Sequence, residues 1–480
     1  MGEKCDEEIV MSKTFRPYEP DQSFLMPVSM HEWLPSGHLA YFVTDVVDQL
    51  DLTAILERYE REERGYPPYH PRMMVKVLLY AYCIGVPSSR KIARRLEEDI
   101  AFRVLAANNT PDFRTISDFR KDHLNALAAL FVQVLRLCQK AGLVKLGHVA
   151  LDGTKMKANA SKHKAMSYKR MKEEESRLEA EVKELLKRAE STDAEEDRRY
   201  GKDKRGDELP KELAFRENRL KKIREARQAL EEEARQRAAE ENKESSQAVT
   251  PKDKAQRNFT DSDSRIMLAP GGKHFIQGYN AQAAVDSEHQ VIVAAEITNQ
   301  PTDRRQAEPM MDAVEANTGR LPDQMSADAG YFSSDIVNNL TARGIDVYIP
   351  PNKMRHGSIL PPAPRGRIPV SLSIPDRMRR KLRTRNGRKC YGLRKELPEP
   401  VFGQIKQARG FRQFLLRGLG KVNDEWLLIC TGHNLLKLAR AHEQEIVSQR
   451  MPRDNTGSME VLTTYEPSVL CNESPSGFAS

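Results

Sequence analysis

"HVALDGTKMKANAS", residues 148–161, decides how the rest of the chain is read. It opens like a buried β-strand and ends like a polar loop. Between the two stands one acid, Asp152, followed at once by Gly153, Thr154, Lys155 and Lys157. Asp-Gly is among the commonest turn pairs, so a plain turn explains this stretch when it is taken alone. A carboxylate at the C-terminal edge of a sheet, with lysines waiting for a polyanion, is the sharper reading. The choice between them rests on what the chain carries elsewhere.

At 480 residues the chain is too long for one ordinary domain. Its 39% hydrophobic residues can build a core, and its 30% charged residues point to long solvated helices as well. A net charge of +8 and a pI near 9.0 favour a polyanionic partner. No apolar run approaches the roughly 18 to 20 residues that cross a bilayer, and "MGEKCDEEIVMSKTF" lacks an apolar signal core. The six cysteines are scattered with no CxxC pair, which argues against a zinc site and a disulfide framework. A cytoplasmic protein with reduced thiols and no membrane partner is expected.

Residues 1–30 read as an irregular, Pro-rich segment, and 31–142 as a helical DNA-binding domain. "HPRMMVKVLLYAYCIG" and "PSSRKIARRLEEDIAFRVLA" resemble a helix-turn-helix joined by "GVPS", with Ser88 or Ser89 placed to cap the second helix. An α/β catalytic domain is expected over 143–440, interrupted at 165–250 by a charged helical hairpin. There Leu178, Val182, Leu185 and Ala189 form one narrow apolar seam, and Leu213, Leu220, Ile223 and Leu230 the other. Strands return as a hairpin in "HFIQGYNAQAAVD" and "QVIVAAEITN", then alternate with helices, which indicates a mixed sheet. A Pro-rich, basic stretch over 351–389 precedes helical segments near 392–408 and 424–443. Residues 441–480 read as a disordered tail.

Three acids stand out. Asp152 ends the first strand, Asp328 leaves a small strand-like segment in "MSADAGYFSS", and Glu399 opens a helix rich in basic residues. Each alone has a bland explanation, a turn for the aspartates and a helix N-terminus for the glutamate. Two carboxylates on neighbouring strands with a third from a packed helix would make an oxygen-ligand cluster suited to Mg²⁺ or Mn²⁺. Two such ions about 3.5 to 4 Å apart serve in-line phosphoryl transfer. Asp286 and Asp303 sit in turns and compete as acids, while His274 and His433 lack a ligand partner at metal spacing. The basic run "RMRRKLRTRNGRK" (377–389) reads as a phosphate-contacting strip or a solvated loop.

With these acids in order, the chain resembles a bacterial insertion-sequence transposase of the DDE class that has an N-terminal helical domain. The resemblance runs over residues 15–440, through "ALDGTKMKANAS", "GYNAQAAVD", "TNQPTDRRQ", "SADAGYFS", "EPVFGQIKQARGFRQFLLRG" and "ICTGHNLLKL". It implies a ribonuclease-H-like mixed sheet whose acids fall on Asp152, Asp328 and Glu399, holding two Mg²⁺ or Mn²⁺ ions. The family also has a signature of Tyr, two residues, Arg, three residues, Glu, six residues, Lys. Tyr391 and Arg394 fit it, and so does Glu399 with Lys406, but four residues separate Arg394 from Glu399. Lys395 stands at the three-residue spacing and shares or takes the Arg role. Glu399 is preferred to Glu396 because the step to Lys406 fixes its register.

What the resemblance implies is cleavage at transposon ends followed by 3′-OH strand transfer into target DNA. Lys155, Lys157, Tyr391, Arg394, Lys395 and Lys406 would hold the DNA, and a homodimer would pair the terminal inverted repeats. The residues themselves leave open a metal-dependent nuclease without strand transfer and a non-catalytic DNA-binding regulator.

Overall fold

Apolar side chains at three- and four-residue spacing fold the N-terminal region into helices. The computed structural model describes residues 29–60, 68–200, 211–240, 250–269, 272, 274–353, 361, 363–369 and 371–450, and the structural statements below concern these. The irregular segment read over 1–30 lies outside them except for its end, where Met30–Glu32 forms a 3-10 turn. The helices are α1 (Leu39–Gln49), α2 (Thr53–Glu60), α3 (Pro71–Cys83), α4 (Ser89–Glu98), α5 (Ile100–Leu105), α6 (Phe113–Asp122) and α7 (Leu124–Lys140).

Nearly every residue of α3 from Met74 to Cys83 is buried, as expected of a helix that is apolar all round. Gly85 follows it in the left-handed region (φ 80°), where a Cβ would strike the Arg409 backbone. The following helix is two: Asp99 breaks it and caps α5 by accepting from Ala101 N at 2.9 Å. Ser88 stands at the α4 N-cap without a side-chain bond. Ser89 instead accepts from the buried Arg120, whose guanidinium also donates to Pro87 O, so α6 clamps the α3–α4 link.

Strand β1 (His148–Lys157) leads, through β2 (Ala165–Ser167), into α8 (Tyr168–Tyr200) and α9 (Lys211–Glu240), and β3 (Gln256–Asn258) pairs back on β2. The two long helices pack antiparallel: Tyr168, Met171 and Leu178 meet Leu220, Ile223, Ala226 and Leu230. Glu175 occupies the same seam and is 6% exposed. It accepts from Arg224 at 3.1 Å and Arg227 at 2.6 Å. A charge in an apolar seam is tolerated only when paired, and it fixes the register of the helices that carry it. Glu175→Ala leaves Arg224 with Glu179 and Arg227 with Glu231 as remaining partners, and both guanidiniums are partly solvated, so the expected loss is about 2 kcal/mol. Faster amide exchange confined to α8 and α9 would show it; exchange at the wild-type rate would refute the seam role.

The main sheet adds β4 (Arg265–Leu268), β5 (Phe275–Asp286), β6 (Ile292–Thr298), then α10 (Ala307–Thr318), β7 (Gln324–Ser326), α11 (Ser334–Ala342) and β8 (Asp346–Tyr348). β1 runs antiparallel to β5 from Val149↔Asp286 to Lys157↔Gly278, and β5 is antiparallel to β6 and β4. On its other side β1 is parallel to β7, and β7 to β8. A helical region followed by a mixed sheet with helices is therefore the architecture.

The C-terminal helices are α12 (Ile374–Leu382), α13 (Arg385–Glu396), α14 (Pro398–Gly403) and α15 (Leu419–Arg450), with a π-helical stretch, Gln404–Ala408, continuing α14. The basic run 377–389 is thus helical rather than a loop, spread over α12 and the start of α13. From α15, Asn423 accepts from Ile297 N at 2.9 Å. Asn434 bonds both backbone groups of Ile292, at 2.9 and 2.8 Å. These amides satisfy β6 at the sheet edge, where unpaired backbone would otherwise be exposed. His433 has a structural place beside them, 2.9 Å from Gln290 O. Of the described residues, Arg440–Arg450 belong to a second compact unit. Residues 441–450, expected in the disordered tail, are helical, and 451–480 lie outside the described residues.

Candidate active site

Asp152 does not end its strand. β1 continues through it to Lys157, because β5 supplies a partner at every step, Asp152↔Ala283 and Gly153↔Gln282 included. Gly153 makes no turn here. A Cβ on it would collide with Gln282 Nε2 and stand 2.7 Å from Asp303 Oδ1 and 2.9 Å from Asn280 Oδ1. The glycine is therefore the floor of a small polar chamber formed by β5 and the segment after β6.

The first two acids come abreast. Ala150↔Ser326 is the last pair of the parallel β1–β7 ladder, and Asp152 and Asp328 each follow two residues later. Asp152 Oδ1 accepts from Gly153 N at 2.8 Å. Asp328 caps a 3-10 turn (Ala329–Tyr331), accepting from Gly330 N at 2.7 Å. Burial pushes the Asp152 carboxyl up to about 7; the Gly153 N–H and Arg394 oppose this, while Asp328 and Asp303 reinforce it. A bound cation would reverse that balance by favouring the ionised acid.

Glu399 is not brought into contact with the pair. It is exposed on the first turn of α14, although that helix packs on β1. Among the described residues no group of three His, Cys, Asp or Glu side chains is placed to hold a metal ion. The side chains of Asp152 and Asp328 nevertheless offer carboxylate oxygens, the chemistry that suits Mg²⁺ or Mn²⁺.

The candidate DNA-contacting residues divide. Lys157 and Lys395 are exposed. Tyr391 and Arg394 lie on α13, the guanidinium 5.6 Å from the ring centre, and Arg394 Nε is buried without a hydrogen-bond partner. Lys406 turns inward, donating to Thr154 Oγ1 and, at 2.9 Å, to Lys155 O. Burial pushes its ammonium down to about 8, with Asp152 opposing. Lys155 pairs with Asp303 at 3.5 Å.

Asp303 is the residue that sequence reasoning undervalued. Its Oδ1 accepts from Asn280 at 2.6 Å and Gln282 at 2.8 Å, and Gln282 Oε1 takes the Tyr331 hydroxyl. The available signal was a pair of amides two residues apart in the apolar strand "GYNAQAAVD", both pointing to one sheet face. Asp286, the other competitor, accepts from Lys145 N and Leu146 N, and so closes the loop before β1.

Two transposase-family models match the sequence: a transposase domain over residues 28–122 and a transposase DDE domain over 249–435. The chain is a DDE-class insertion-sequence transposase. The second match contains Asp303, Asp328 and Glu399 of the transposase, whereas Asp152 lies before it, on the far side of the α8–α9 insertion. No curated protein and no solved structure matches the transposase. DNA is its partner, its class of reaction is transfer at phosphodiesters, and divalent metal ions generally serve its family. No helix among the described residues is long and apolar enough to cross a membrane.

Proposed function

We propose that this transposase cuts DNA at the ends of its element and joins the freed 3′-OH to target DNA at one site built on Asp152, Asp328 and Glu399. The observation that carries the reading is that Asp152 and Asp328 each stand two residues past the last pair, Ala150↔Ser326, of the parallel β1–β7 ladder. The strand order β6-β5-β1-β7-β8, with antiparallel pairing up to β1 and parallel pairing beyond it, supports a ribonuclease-H-like domain.

Asp152 would be shared between two divalent ions, with Asp328 and Glu399 completing one set of ligands each. Bound there, Mg²⁺ or Mn²⁺ supplies a Lewis acid for the attacking and leaving oxygens. The protein contributes position and charge. In the first step water attacks the phosphorus at the element's end, the P–O3′ bond breaks and the 3′-hydroxyl leaves. In the second that 3′-oxygen attacks a target phosphodiester and displaces the 3′-oxygen of the target strand. Lys157 and Lys395 are free to meet backbone phosphates, and Arg394 and Tyr391 border the acids from α13. Lys406 holds β1 just past Asp152. The helical region would recognise the terminal inverted repeats, and a homodimer would pair two ends in the bacterial cytoplasm.

A pre-cleaved end duplex with Mg²⁺ and a target plasmid tests the reading. Covalently joined product is expected; cleavage of intact ends without joining would make the protein a nuclease. Binding should weaken steeply with salt, about one power of concentration per phosphate contact.

A further inference from the structure

Lys155 poses a physical problem for a centre built on carboxylates. It stands three residues past Asp152 on the same strand and is only 17% exposed. An ammonium whose charge couples to those of Asp152 and Asp328 is a built-in competitor for any cation they bind. Asp303, 22% exposed, faces it at 3.5 Å. The same Asp303 oxygen is fixed by the Asn280 and Gln282 amides. It fits there because residue 153 has no side chain.

We propose that Asp303 is a positioning residue that holds Lys155 away from Asp152 and Asp328, leaving their oxygens available to a divalent cation. The inference rests on the reading of those two aspartates as the metal-holding pair. Lys155 feels the charge of Asp303 first and those of Asp152 and Asp328 after it, so losing Asp303 redirects the ammonium to the pair. The other oxygen of Asp303 lies 3.6 Å from where a Gly330 Cβ would stand, a position 2.9 Å from Asp328 Oδ1. Asp303 therefore borders both the lysine and the second aspartate.

The test is Mn²⁺ binding to the full-length protein without DNA, followed by the electron paramagnetic resonance of the free ion. Asp303→Asn is expected to weaken binding by roughly ten- to a hundredfold, the range for a residue that orients metal ligands. Asp303→Asn with Lys155→Met should recover most of that loss, because the competing ammonium is gone. A merely structural role for Asp303 gives no such recovery. Gly153→Ala keeps every carboxylate and displaces that of Asp303, so it should reproduce the loss even if Asp303→Asn folds poorly. Wild-type Mn²⁺ affinity in Asp303→Asn or Gly153→Ala, or no recovery in the double variant, overturns the inference. Asp152→Asn run beside them separates the two claims. If it abolishes binding while Asp303→Asn does not, only the role of Asp303 falls; wild-type binding and cleavage in Asp152→Asn remove the metal pair itself.

Discussion

Asp152→Asn is expected to reduce single-turnover cleavage of an element-end duplex by roughly a thousandfold while leaving the fold intact. Asparagine has the same shape, and its oxygen can still accept from the Gly153 N–H, now at 2.8 Å from the aspartate. What it removes is the negative charge that Asp152 would offer to a cation in the proposed centre. Glu399→Gln should fall as far, and Glu396→Gln should change cleavage little. That contrast matters because Glu399 is exposed, and only a centre that uses it requires it to move. Wild-type cleavage by Asp152→Asn would refute the acid mechanism. Loss in Glu396→Gln with none in Glu399→Gln would place the third acid one turn earlier.

Trp426→Ala should be the most damaging core substitution, lowering stability by about 4 to 5 kcal/mol. Trp426 is fully buried on α15, stacked near Phe402 of α14 at 6.5 Å between ring centres. Its indole N–H donates to Gln282 O at 3.0 Å. The alanine variant therefore leaves a cavity and strips a buried carbonyl of its donor. Gln282 is also the residue that ties Tyr331 to Asp303, so damage should spread to the acid chamber. Trp426→Phe fills most of the space and isolates the lost hydrogen bond, about 1 to 3 kcal/mol. Urea titration of the three proteins measures both values; a Trp426→Ala protein within 1 kcal/mol of wild type would show that the contact is not part of the core.

Local patterns made much of this architecture legible. The helices of the N-terminal region announce themselves by spacing, as does the seam of the α8–α9 hairpin. What sequence could not give was the outcome of long-range pairing. Asp152-Gly153 has the composition of a turn, yet β5 pairs it into a continuous strand from more than a hundred residues away. Asp303 was hidden for the same reason. It looks like a loop residue, and its donors, Asn280 and Gln282, become visible as partners only when β5 lies beside β1. The run 377–389 misled in the other direction. It reads as a basic, non-helical stretch, a phosphate-contacting strip or a solvated loop, while buried Met378, Leu382 and Cys390 anchor two short helices. Glu399 was singled out by its register with Lys406, but its exposure could not be read from any spacing.

The α8–α9 insertion has a consequence for how the chain acquires its chemistry. A contact such as Lys157↔Gly278 closes a loop of more than a hundred residues, and closure of that kind slows folding. An antiparallel pair of helices returns the chain to where it left, and the β2–β3 ladder, Ala165↔Asn258, clasps its base. Once this local zipper has formed, the path from Lys157 to Gly278 shortens to the 8 positions up to Ala165 and the 20 beyond Asn258. During synthesis Asp152 emerges early, but β5 and then β7 must leave the ribosome before it gains its neighbours. If Asp152 and Asp328 act together as proposed, the nascent protein has no working centre until β7 has been made.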